Sequence, residues 1–379
     1  MTPLTLNQEF QDTLSLLEQS SVPIFITGRA GTGKSTLLQL FRRTTRKNVI
    51  VLAPTGVSAL NVSGQTIHSF FGFPPRLFDK TAIRRKKNKI FKTVETIIID
   101  EISMVRADLL DAIDYFMRLH RHPLQPFGGV QMVFFGDLFQ LPPVVTKDTE
   151  QYLHQMNYAS PYFFSAKAFY EIKNLQLIEL TKVFRQESRR FVGLLDAIRL
   201  NRAEYDELAE LNSRHQPTFN SEDFYITLTS RNAIADSLNQ KKLSDLSGES
   251  QTYIASISGN FDENIFPTDP ALKLKVGSQV MFLRNDPERQ FVNGTIGIVS
   301  SLGADKIIVE TQENGKNQRI EVVPLSWETI RYTMNDDEKI ETETVGSFTQ
   351  IPLKLAWAIT IHKSQGKTFD KVAIDLGTG

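Results

Sequence analysis

The sequence predicts an α/β protein whose domains are built on parallel β-sheets. Three observations favour this class. Short apolar runs of strand length alternate with helical patterns through the first half of the chain. One such run, Ile24–Thr27, enters the loop Gly28–Ser35, which has the form G-x-x-x-x-G-K-S. A helical pattern over 36–43 follows, so the chain has the order strand, glycine-rich loop and helix that a phosphate cradle requires.

The glycine-rich loop predicts a nucleotide triphosphatase. Its glycines let backbone N–H groups approach phosphate oxygens, and the helix N-terminus adds its dipole. Lys34 would reach the β- and γ-phosphates, and the Ser35 hydroxyl would bind Mg²⁺. The residues expected to contact the nucleotide here are Gly28, Ala30, Gly31, Thr32, Gly33, Lys34, Ser35 and Thr36. The alternative is an ordinary glycine-rich turn between a strand and a helix.

Further strands and helices follow in order along the chain. We predict strands at 48–53, 96–100 and 131–135, a short helix at 56–62 and an amphipathic helix at 104–120. Continuous apolar strands separated by helices are typical of a parallel sheet covered on both faces. A second unit of this kind is expected to begin with a strand at 175–180 and to include strands at 224–228 and 371–376. Its first helix would turn Phe191, Leu194, Leu195 and Ile198 towards the core.

Two segments break this alternation. Residues 63–92 show no clear sheet element, and Lys80–Lys92 holds seven basic residues and no acidic one. Residues 276–344 contain the hairpin signals Asn293-Gly294 and Asn314-Gly315. Strands predicted at 276–283, 295–300 and 306–310 would form a small antiparallel barrel that interrupts the second α/β unit.

Composition sets looser bounds. A chain of 379 residues suggests two to three domains. Its 43 basic and 43 acidic residues balance, so overall charge does not indicate or exclude a nucleic-acid partner. The absence of cysteine excludes disulfides and thiolate metal sites, and the six histidines show no metal-ligand spacing. With no long apolar segment and no signal-peptide pattern, we expect a soluble cytoplasmic protein, associated with the nucleoid if bacterial.

Polar side chains follow two of the predicted strands. Asp100 and Glu101 end an apolar strand, where Asp100 would hold Mg²⁺ directly or through water and Glu101 would polarise an attacking water. The alternative is a strand end with two solvated acids. Gly136–Pro143 follows another strand, and Gln140 within it could bond a γ-phosphate. Spacing alone does not distinguish this role from an ordinary turn before Pro142-Pro143.

These motifs together resemble a known family. The stretches Gly28–Ser35, Ala53–Gly56, Gln65–Gly72, Ile98–Met104 and Gly136–Pro143 look like the ordered helicase motifs of superfamily one. More narrowly, they resemble the PIF (petite integration frequency) helicases, relatives of RecD-like enzymes. Leu180–Gln186, continuing to Arg199, is similar to that family's own signature. Thr229–Asn232 and Ala356–Gly366 match its later motifs, so the resemblance covers nearly the whole chain.

The resemblance implies an architecture and an activity. It implies two RecA-like P-loop domains with parallel sheets, at 1–62 with 93–174 and at 175–275 with 345–379, and ATP bound between them. A wedge at 63–92 and an SH3-like β-barrel at 276–344 would be insertions. The family unwinds DNA in the 5′-to-3′ direction with ATP and Mg²⁺. The implied partners are single-stranded DNA, tailed, forked or RNA-paired duplexes and G-quadruplexes, bound by a monomer away from membranes.

The resemblance also assigns residues. The catalytic set is Lys34, Asp100, Glu101, Gln140 and the phosphate-reaching Arg185, with Ser35 and Asp100 as metal ligands and Gly366 near the nucleotide. The DNA-binding set is Pro54, Thr55, Gly56, Thr66, His68, Phe70, Arg231, Asn232, Thr360, His362 and Ser364. Hydroxyls and imidazoles suit phosphate contacts. Phe70, Phe71 and Phe73 could stack on bases, although core packing is favoured for at least two of the three. Arg84–Lys87 would touch DNA or form a solvated face.

Two departures from the family pattern affect these expectations. The adenine-reading glutamine is Gln8, Gln11 or missing, because Leu6–Glu9 differs from the usual start. The chain stops at Asp375–Gly379, where the family continues into a Val-Ala-Leu-Ser-Arg motif, so we expect truncation with weakened turnover. The alternatives to a DNA helicase are an ATP-dependent clamp on single-stranded DNA with little unwinding activity and, third, an RNA-directed motor.

Overall fold

The computed structural model describes residues 7–74, 77–182, 189–216, 219, 224–286, 290–313, 316–367 and 369–375. The chain forms two compact units. The first contains residues 1–213 and 329–344, and the second contains residues 214–328 and 345–379. We call residues 329–344 the hairpin tip, since they lie at the end of a β-hairpin. Among the described residues, no helix has the length and apolar character needed to cross a membrane.

The first unit is built on a six-stranded sheet. Its strands are β1 (Ile24–Gly28), β2 (Val49–Ala53), β3 (Gln65–Thr66), β4 (Thr96–Ile99), β5 (Gln131–Phe135) and β6 (Gln176–Leu180). They run in the order β3-β2-β4-β5-β1-β6, with every neighbouring pair parallel. The α/β class with a parallel sheet is therefore confirmed, and the residues predicted for β5 match its observed bounds.

The first unit also contains helices besides this sheet. They are α1 (Gln8–Gln19), α2 (Lys34–Thr44), α3 (Gly56–Asn61), α4 (Ile67–Phe71), α5 (Ile90–Thr93), α6 (Ala107–His120), α7 (Lys147–Gln155), α8 (Lys167–Glu171), α9 (Arg189–Arg199) and α10 (Tyr205–Asn212). Alternate strand residues point to opposite faces. Ile97 and Ile99 belong to one buried cluster, whereas Ile98 belongs to the other. Both faces are covered, which explains why the strands are continuously apolar.

The second unit contains a parallel sheet and an antiparallel one. Strands β7 (Ile226–Thr229), β18 (Ala358–Thr360) and β19 (Val372–Asp375) form the parallel sheet, with helices α11 (Asn232–Asp245) and α12 (Ile361–Ser364). The five-stranded antiparallel sheet contains β11 (Gln279–Phe282), β12 (Ile296–Leu302), β13 (Ile307–Glu313), β14 (Lys316–Val322) and β17 (Leu353–Leu355). Shorter strands are β8 (Gln251–Ile254), β9 (Ser256–Gly259) and β10 (Ala271–Leu274). The hairpin consists of β15 (Leu325–Met334) and β16 (Ile340–Gln350).

Three predictions of the domain layout are wrong. The strand expected to open the second unit, β6, pairs with β1 instead, with Leu180 opposite Gly28. The barrel was expected to end at 344, but its sheet takes β17 from beyond that point, and the hairpin tip belongs to the first unit. The segment 63–92 contains a sheet element after all, because β3 pairs with β2. Periodicity predicts that a strand exists, but not which strand it pairs with.

The strands predicted within the barrel are confirmed as β11, β12 and β13, which are antiparallel neighbours. Gly294 of the first hairpin signal adopts a φ of +105°, as expected for glycine in a tight turn. Asn314-Gly315 lies outside the described residues, between β13 and β14, which pair as far as Glu313 and Lys316.

The apolar face of α9 is a further correction. Leu194 is buried, but Phe191, Leu195 and Ile198 are 50%, 39% and 44% exposed. Helical periodicity identifies an apolar face and does not establish that another element covers it. The prediction that all four residues face the core is therefore wrong for three of them.

The hairpin tip completes the edge of the first sheet. Leu52 O accepts from Asp100 N on the β4 side, so the backbone groups of Val51 face the opposite side of β2. There the Tyr332 hydroxyl accepts from Val51 N at 2.9 Å and donates to Val51 O at 3.2 Å. The Tyr332 ring packs edge-on against Phe70, with centroids 6.0 Å apart. A tyrosine from a distant segment therefore satisfies a backbone pair that β3 is too short to reach.

Candidate functional site

The loop between β1 and α2 is shaped by close backbone approaches. A Cβ at Gly28 would lie 2.6 Å from Leu180 O and 2.7 Å from the Thr32 hydroxyl, so only glycine fits beside β6. Gly33 adopts a φ of +87°, and a Cβ there would lie 2.8 Å from the Phe10 ring. Helix α2 begins directly after it, at Lys34. Its first backbone N–H groups and its dipole form an anion site at the loop.

Lys34 lies within this loop. Its ammonium donates to Gly28 O at 2.6 Å and to Arg29 O at 3.1 Å. Burial is the largest influence on the pKa of Lys34 and lowers it, whereas the negative charges of Asp137 and Glu101 act in the opposite direction. A partly desolvated cation beside a glycine-rich loop suits phosphate oxygens, which would replace the two carbonyls as acceptors.

Asp100 and Glu101 follow β4 at the same edge of the sheet. Asp100 is 9% exposed, and burial, followed by the charge of Glu101, raises its pKa to about 7. Glu101 adopts a φ of +50°, which is uncommon for a residue with a side chain. Such backbone strain is concentrated at functional sites. Asp100 is buried and Glu101 is half-buried next to it, so the two negative charges repel each other and the site favours a cation.

The residues present fit a magnesium ion bound together with nucleotide phosphates. Mg²⁺ is usually held by one or two carboxylates and phosphate oxygens rather than by an all-protein cage. Asp100 supplies a carboxylate, and the hydroxyl of Ser35 lies on the first turn of α2. In the described part of the chain, no group of three or more His, Cys, Asp or Glu side chains is arranged to hold a metal. The ion would therefore depend on the nucleotide for its other ligands.

The turn after β5 carries Gln140. Asp137 is 3% exposed and organises this turn, because its Oδ1 accepts from Phe139 N at 3.1 Å and its carbonyl accepts from Gln140 N at 3.0 Å. Arg199 of α9 donates to the same Oδ1 at 2.8 Å. No local pattern in the sequence indicates that Asp137 and Arg199 interact. The sequence does indicate that both residues have a function, because both lie in stretches that resemble the family's motifs.

The structure leaves two expected nucleotide-site roles untested, those of Gln8 and Arg185. Gln8 lies on the first turn of α1, where its amide donates to Asp12 at 2.7 Å, and it is exposed. Phe10, on the same helix, meets Gly33 of the phosphate loop. The helix is therefore close to the loop, while the adenine-reading role stays a prediction. Arg185 lies outside the described residues, and its role also stays a prediction.

The first unit brings part of the DNA-binding set together at the ends of β2 and β3. Ala53 pairs with Thr66 in parallel, so Pro54–Gly56 and Thr66 leave the sheet side by side. Thr55 caps α3 by accepting from Ser58 N at 3.1 Å, and Thr66 caps α4 by accepting from Ser69 N at 3.2 Å. Both hydroxyls accept in these caps, and a contact with a phosphate oxygen would need each to donate its O–H instead. The Thr55 hydroxyl also lies 2.8 Å from the Ser58 hydroxyl, a hydrogen bond in which either can be the donor.

His68 and Phe70 lie on the helix that follows. Burial, followed by the positive charge of Arg106, lowers the pKa of His68, whereas Asp108 raises it. The His68 ring is therefore neutral at pH 7. Phe70 is 9% exposed and packs against Phe71 and other aromatic rings of the core. Its expected role in base stacking is wrong, because core packing takes all three phenylalanines of this segment, Phe70, Phe71 and Phe73.

The second unit holds the rest of the DNA-binding set. Thr360 pairs with Thr229 in parallel, so the segments after β18 and β7 leave the sheet together. These segments contain Arg231 and Asn232 at the start of α11, and His362, Ser364 and Gly366 at and after α12. His362 is exposed, whereas Thr360 is 5% exposed and Ser364 donates to Ile361 O at 2.7 Å.

A cavity of about 800 Å³ in the first unit is separate from these sites. It is lined by the end of α2, by residues 45–49 and by the hairpin tip, and shares no residue with the phosphate loop. Three of its cationic side chains, those of Arg42, Lys47 and Lys339, already donate to backbone carbonyls. Arg42 donates to Val62 O and Ser63 O, and Lys47 donates to Leu17 O and Ser20 O. The residues predicted to bind and hydrolyse the nucleotide therefore lie at the phosphate loop and not in this cavity.

The fold and the site together define a P-loop nucleotide-binding protein. The model of the family "PIF1-like helicase" matches residues 6–207, and that of "DNA helicase Pif1, 2B domain" matches residues 260–302. The chain belongs to the PIF1-like helicase family.

Named relatives and solved structures agree with this assignment. The chain is 30% identical to the ATP-dependent DNA helicase Pif1 of Bdellovibrio bacteriovorus over 98% of its own length and 82% of that protein. A structure of Bacteroides Pif1 with ADP-AlF4 matches at 39% identity and a TM-score of 0.90, covering 99% of this chain and 87% of that one. Bacteroides Pif1 bound to single-stranded DNA matches at 40% identity and a TM-score of 0.63, covering 98% and 86%. The chain spans little more than half of the Emericella nidulans and vertebrate relatives that it matches.

Proposed function

We propose that this chain is an ATP-dependent DNA helicase that moves 5′-to-3′ along single-stranded DNA and unwinds tailed or forked duplexes. The observation that carries the proposal is the joint position of Lys34, the Asp100-Glu101 pair and the Gln140 turn at one edge of the first sheet, in a member of the PIF1-like helicase family. Relatives named as ATP-dependent DNA helicases support the activity. The structure of Bacteroides Pif1 bound to single-stranded DNA, and a structure that describes DNA unwinding at forked duplex DNA by two coordinating Pif1 helicases, support the partners.

The residues divide the chemistry of hydrolysis among themselves. The α2 N-terminus and Lys34 hold the phosphates. Ser35 and Asp100 would hold Mg²⁺, which would neutralise charge on the phosphate oxygens. Glu101 orients and deprotonates the attacking water, and Gln140 bonds the γ-phosphate. Phosphoryl transfer needs positioning and charge stabilisation more than covalent chemistry, and these side chains supply both. Arg185 would add a further cation.

The DNA contacts are proposed to be with the backbone of the strand. Thr55, Thr66 and His68 of the first unit and His362 and Ser364 of the second have the side chains for phosphate contacts, which position a strand without reading its sequence. Arg231 and Asn232 extend this set. G-quadruplex substrates, a monomeric state and a cytoplasmic location, associated with the nucleoid if the protein is bacterial, are parts of the same proposal.

The deciding experiment measures ATPase activity and strand separation with the same protein. DNA duplexes with a 5′ or a 3′ single-stranded tail are supplied with ATP, and hydrolysis is followed with and without DNA. We expect DNA to stimulate hydrolysis, and unwinding to require the 5′ tail. Lys34→Ala should lose nucleotide affinity, and Glu101→Gln should bind ATP normally but hydrolyse it about 100- to 10,000-fold more slowly.

Other outcomes would indicate a different function or refute the role of one residue. Stimulated hydrolysis without strand separation would replace the helicase with an ATP-dependent clamp on single-stranded DNA. Tighter binding and stronger stimulation by RNA of the same sequence would indicate an RNA-directed motor. Normal turnover in Glu101→Gln would refute the assignment of the catalytic base.

A further inference from the structure

We propose that Arg199 is a positioning residue for ATP hydrolysis, which holds the Gln140 turn in place through Asp137; the inference rests on the proposed ATPase function. Arg199 is the last residue of α9, and Asp137 follows β5, so the pair joins the helix to the sheet edge. The Arg199 Nη2 atom lies 2.8 Å from Asp137 Oδ1. Asp137 is almost fully buried and the Arg199 side chain is 18% exposed, so water screens this ion pair only weakly.

The turn depends on Asp137 at two points. Its carboxylate accepts from Phe139 N, and its carbonyl accepts from Gln140 N. Arg199 also contacts the far side of the turn, because its guanidinium carbon lies 4.6 Å from the centroid of the Phe139 ring. This distance is within the range of a cation–π contact. Without Arg199, the Asp137 carboxylate would be buried without its cation. The turn would also lose the contact between the guanidinium and the Phe139 ring.

A second ion pair connects the same helix to the phosphate loop. Asp196 precedes Arg199 by three residues, which places both on one face of α9. Asp196 pairs with Arg29, inside the glycine-rich loop. Helix α9 therefore reaches both loops that would surround the γ-phosphate. Both charges of the Arg199–Asp137 pair also act on Lys34, where Asp137 raises the pKa and Arg199 lowers it.

The guanidinium is not explained by stability alone. Arg199 Nε is buried and has no hydrogen-bond partner within the described part of the chain. A buried unpaired N–H group is unfavourable, and apolar side chains of similar volume in place of both Arg199 and Asp137 would avoid it. A planar group that bonds Asp137 and lies against Phe139 at the same time is instead suited to fixing a turn.

The test compares Arg199→Met with Arg199→Lys and with Arg190→Met as a matched control. Arg190 lies on the same helix but forms an exposed ion pair with Glu210. In DNA-stimulated ATPase assays, Arg199→Met should lower kcat by about 100-fold, as a small misplacement of a catalytic group does. The KM for ATP should stay near the wild-type value, because the turn acts mainly in the transition state. Arg199→Lys should recover part of kcat, and Arg190→Met should behave as wild type.

Two further measurements separate positioning from general damage. The first is the affinity for Mg·ADP–aluminium fluoride relative to Mg·ADP, which should fall in Arg199→Met while ADP affinity is kept. The second is the kcat of the double variant Arg199→Met, Gln140→Ala. It should be no lower than that of Gln140→Ala alone, since both changes remove the contribution of Gln140 to hydrolysis. Circular dichroism and thermal unfolding establish that each variant is folded.

The contrary results are distinct. Additive losses in the double variant, or a rise in KM with unchanged kcat, would refute the positioning role while leaving the ATPase intact. A folded Arg199→Met with wild-type kcat would do the same. A wild-type protein without DNA-stimulated hydrolysis would refute the proposed function itself, and the positioning role with it.

Discussion

Replacing Tyr332 with Phe removes one hydroxyl from the hairpin tip and keeps the ring. The hydroxyl bonds both the N–H and the carbonyl of Val51, which is fully buried in β2. Burial raises the pKa of Tyr332, so the phenol stays protonated and can donate to the carbonyl. We therefore expect Tyr332→Phe to destabilise the first unit and to expose the Val51 amide to exchange.

The size of the effect follows from the unpaired groups. A buried donor that loses its partner costs about 1–3 kcal/mol, so we expect a loss of about 2 kcal/mol for Tyr332→Phe. Tyr332→Ala also removes the ring that packs against Phe70, and removal of a large aromatic side chain costs about 3–5 kcal/mol. The control is Arg331→Ala in the same strand. Its ion pair with Glu343 is exposed, so the expected loss is only about 0–1 kcal/mol.

Hydrogen exchange and chemical denaturation measure this prediction together. A loss of about 2 kcal/mol should lower the exchange protection of the Val51 amide about 30-fold, if exchange follows release of the hairpin tip. Denaturant unfolding should show the same order, with Tyr332→Ala less stable than Tyr332→Phe, and Arg331→Ala close to wild type. Unchanged protection at Val51 in Tyr332→Phe would refute the reasoning, as would an equal loss in Arg331→Ala.

Three further predictions concern the DNA contacts and the second unit. Burial lowers the pKa of His68 and a DNA phosphate would raise it, so binding should take up a proton. Single-strand affinity should therefore rise as the pH falls through the pKa of DNA-bound His68, and His68→Gln should flatten that rise in a fluorescence titration. The double variant Thr55→Ala, His362→Ala should weaken binding about equally for unrelated DNA sequences, because phosphate contacts position a strand without reading its sequence; a changed sequence preference at unchanged affinity would contradict the backbone assignment. Asn239 bonds both backbone groups of Ala358 at 2.8 and 2.9 Å in a buried place, so Asn239→Ala should destabilise the second unit by about 2–4 kcal/mol, and an unchanged unfolding midpoint would refute it.

Local sequence patterns predicted the part of the fold that local chemistry determines. The strand and glycine-rich loop around Lys34 are contiguous, and the apolar run of β5 ends where the strand ends. Asp100 and Glu101 follow directly from β4 in the same way. Each of these features is determined by residues that are neighbours in the chain, so it can be predicted from the sequence alone.

The remainder depends on residues that are far apart in the chain. Arg199 and Asp137 are 62 positions apart, and neither residue alone indicates that they pair. Phe70 has the character of a base-stacking residue, but it is buried against Tyr332 from the hairpin tip. Similarly, the partner of β6 is β1, which lies at the other end of the unit in sequence. Sheet pairing and burial are non-local, so periodicity could not supply them.

The position of Tyr332 in the chain has a consequence for synthesis on the ribosome. The nascent first unit emerges up to residue 213, but the segment that satisfies Val51 is made only after most of the second unit. At about 5–20 residues per second, this delay is on the order of ten seconds. Throughout it, the outer edge of β2 beside β3 presents unpaired backbone groups, which favour pairing with other chains. We expect ribosome-bound chains that end near residue 213 to recruit chaperones or to aggregate. Chains extended past residue 344 contain the hairpin tip and should do neither.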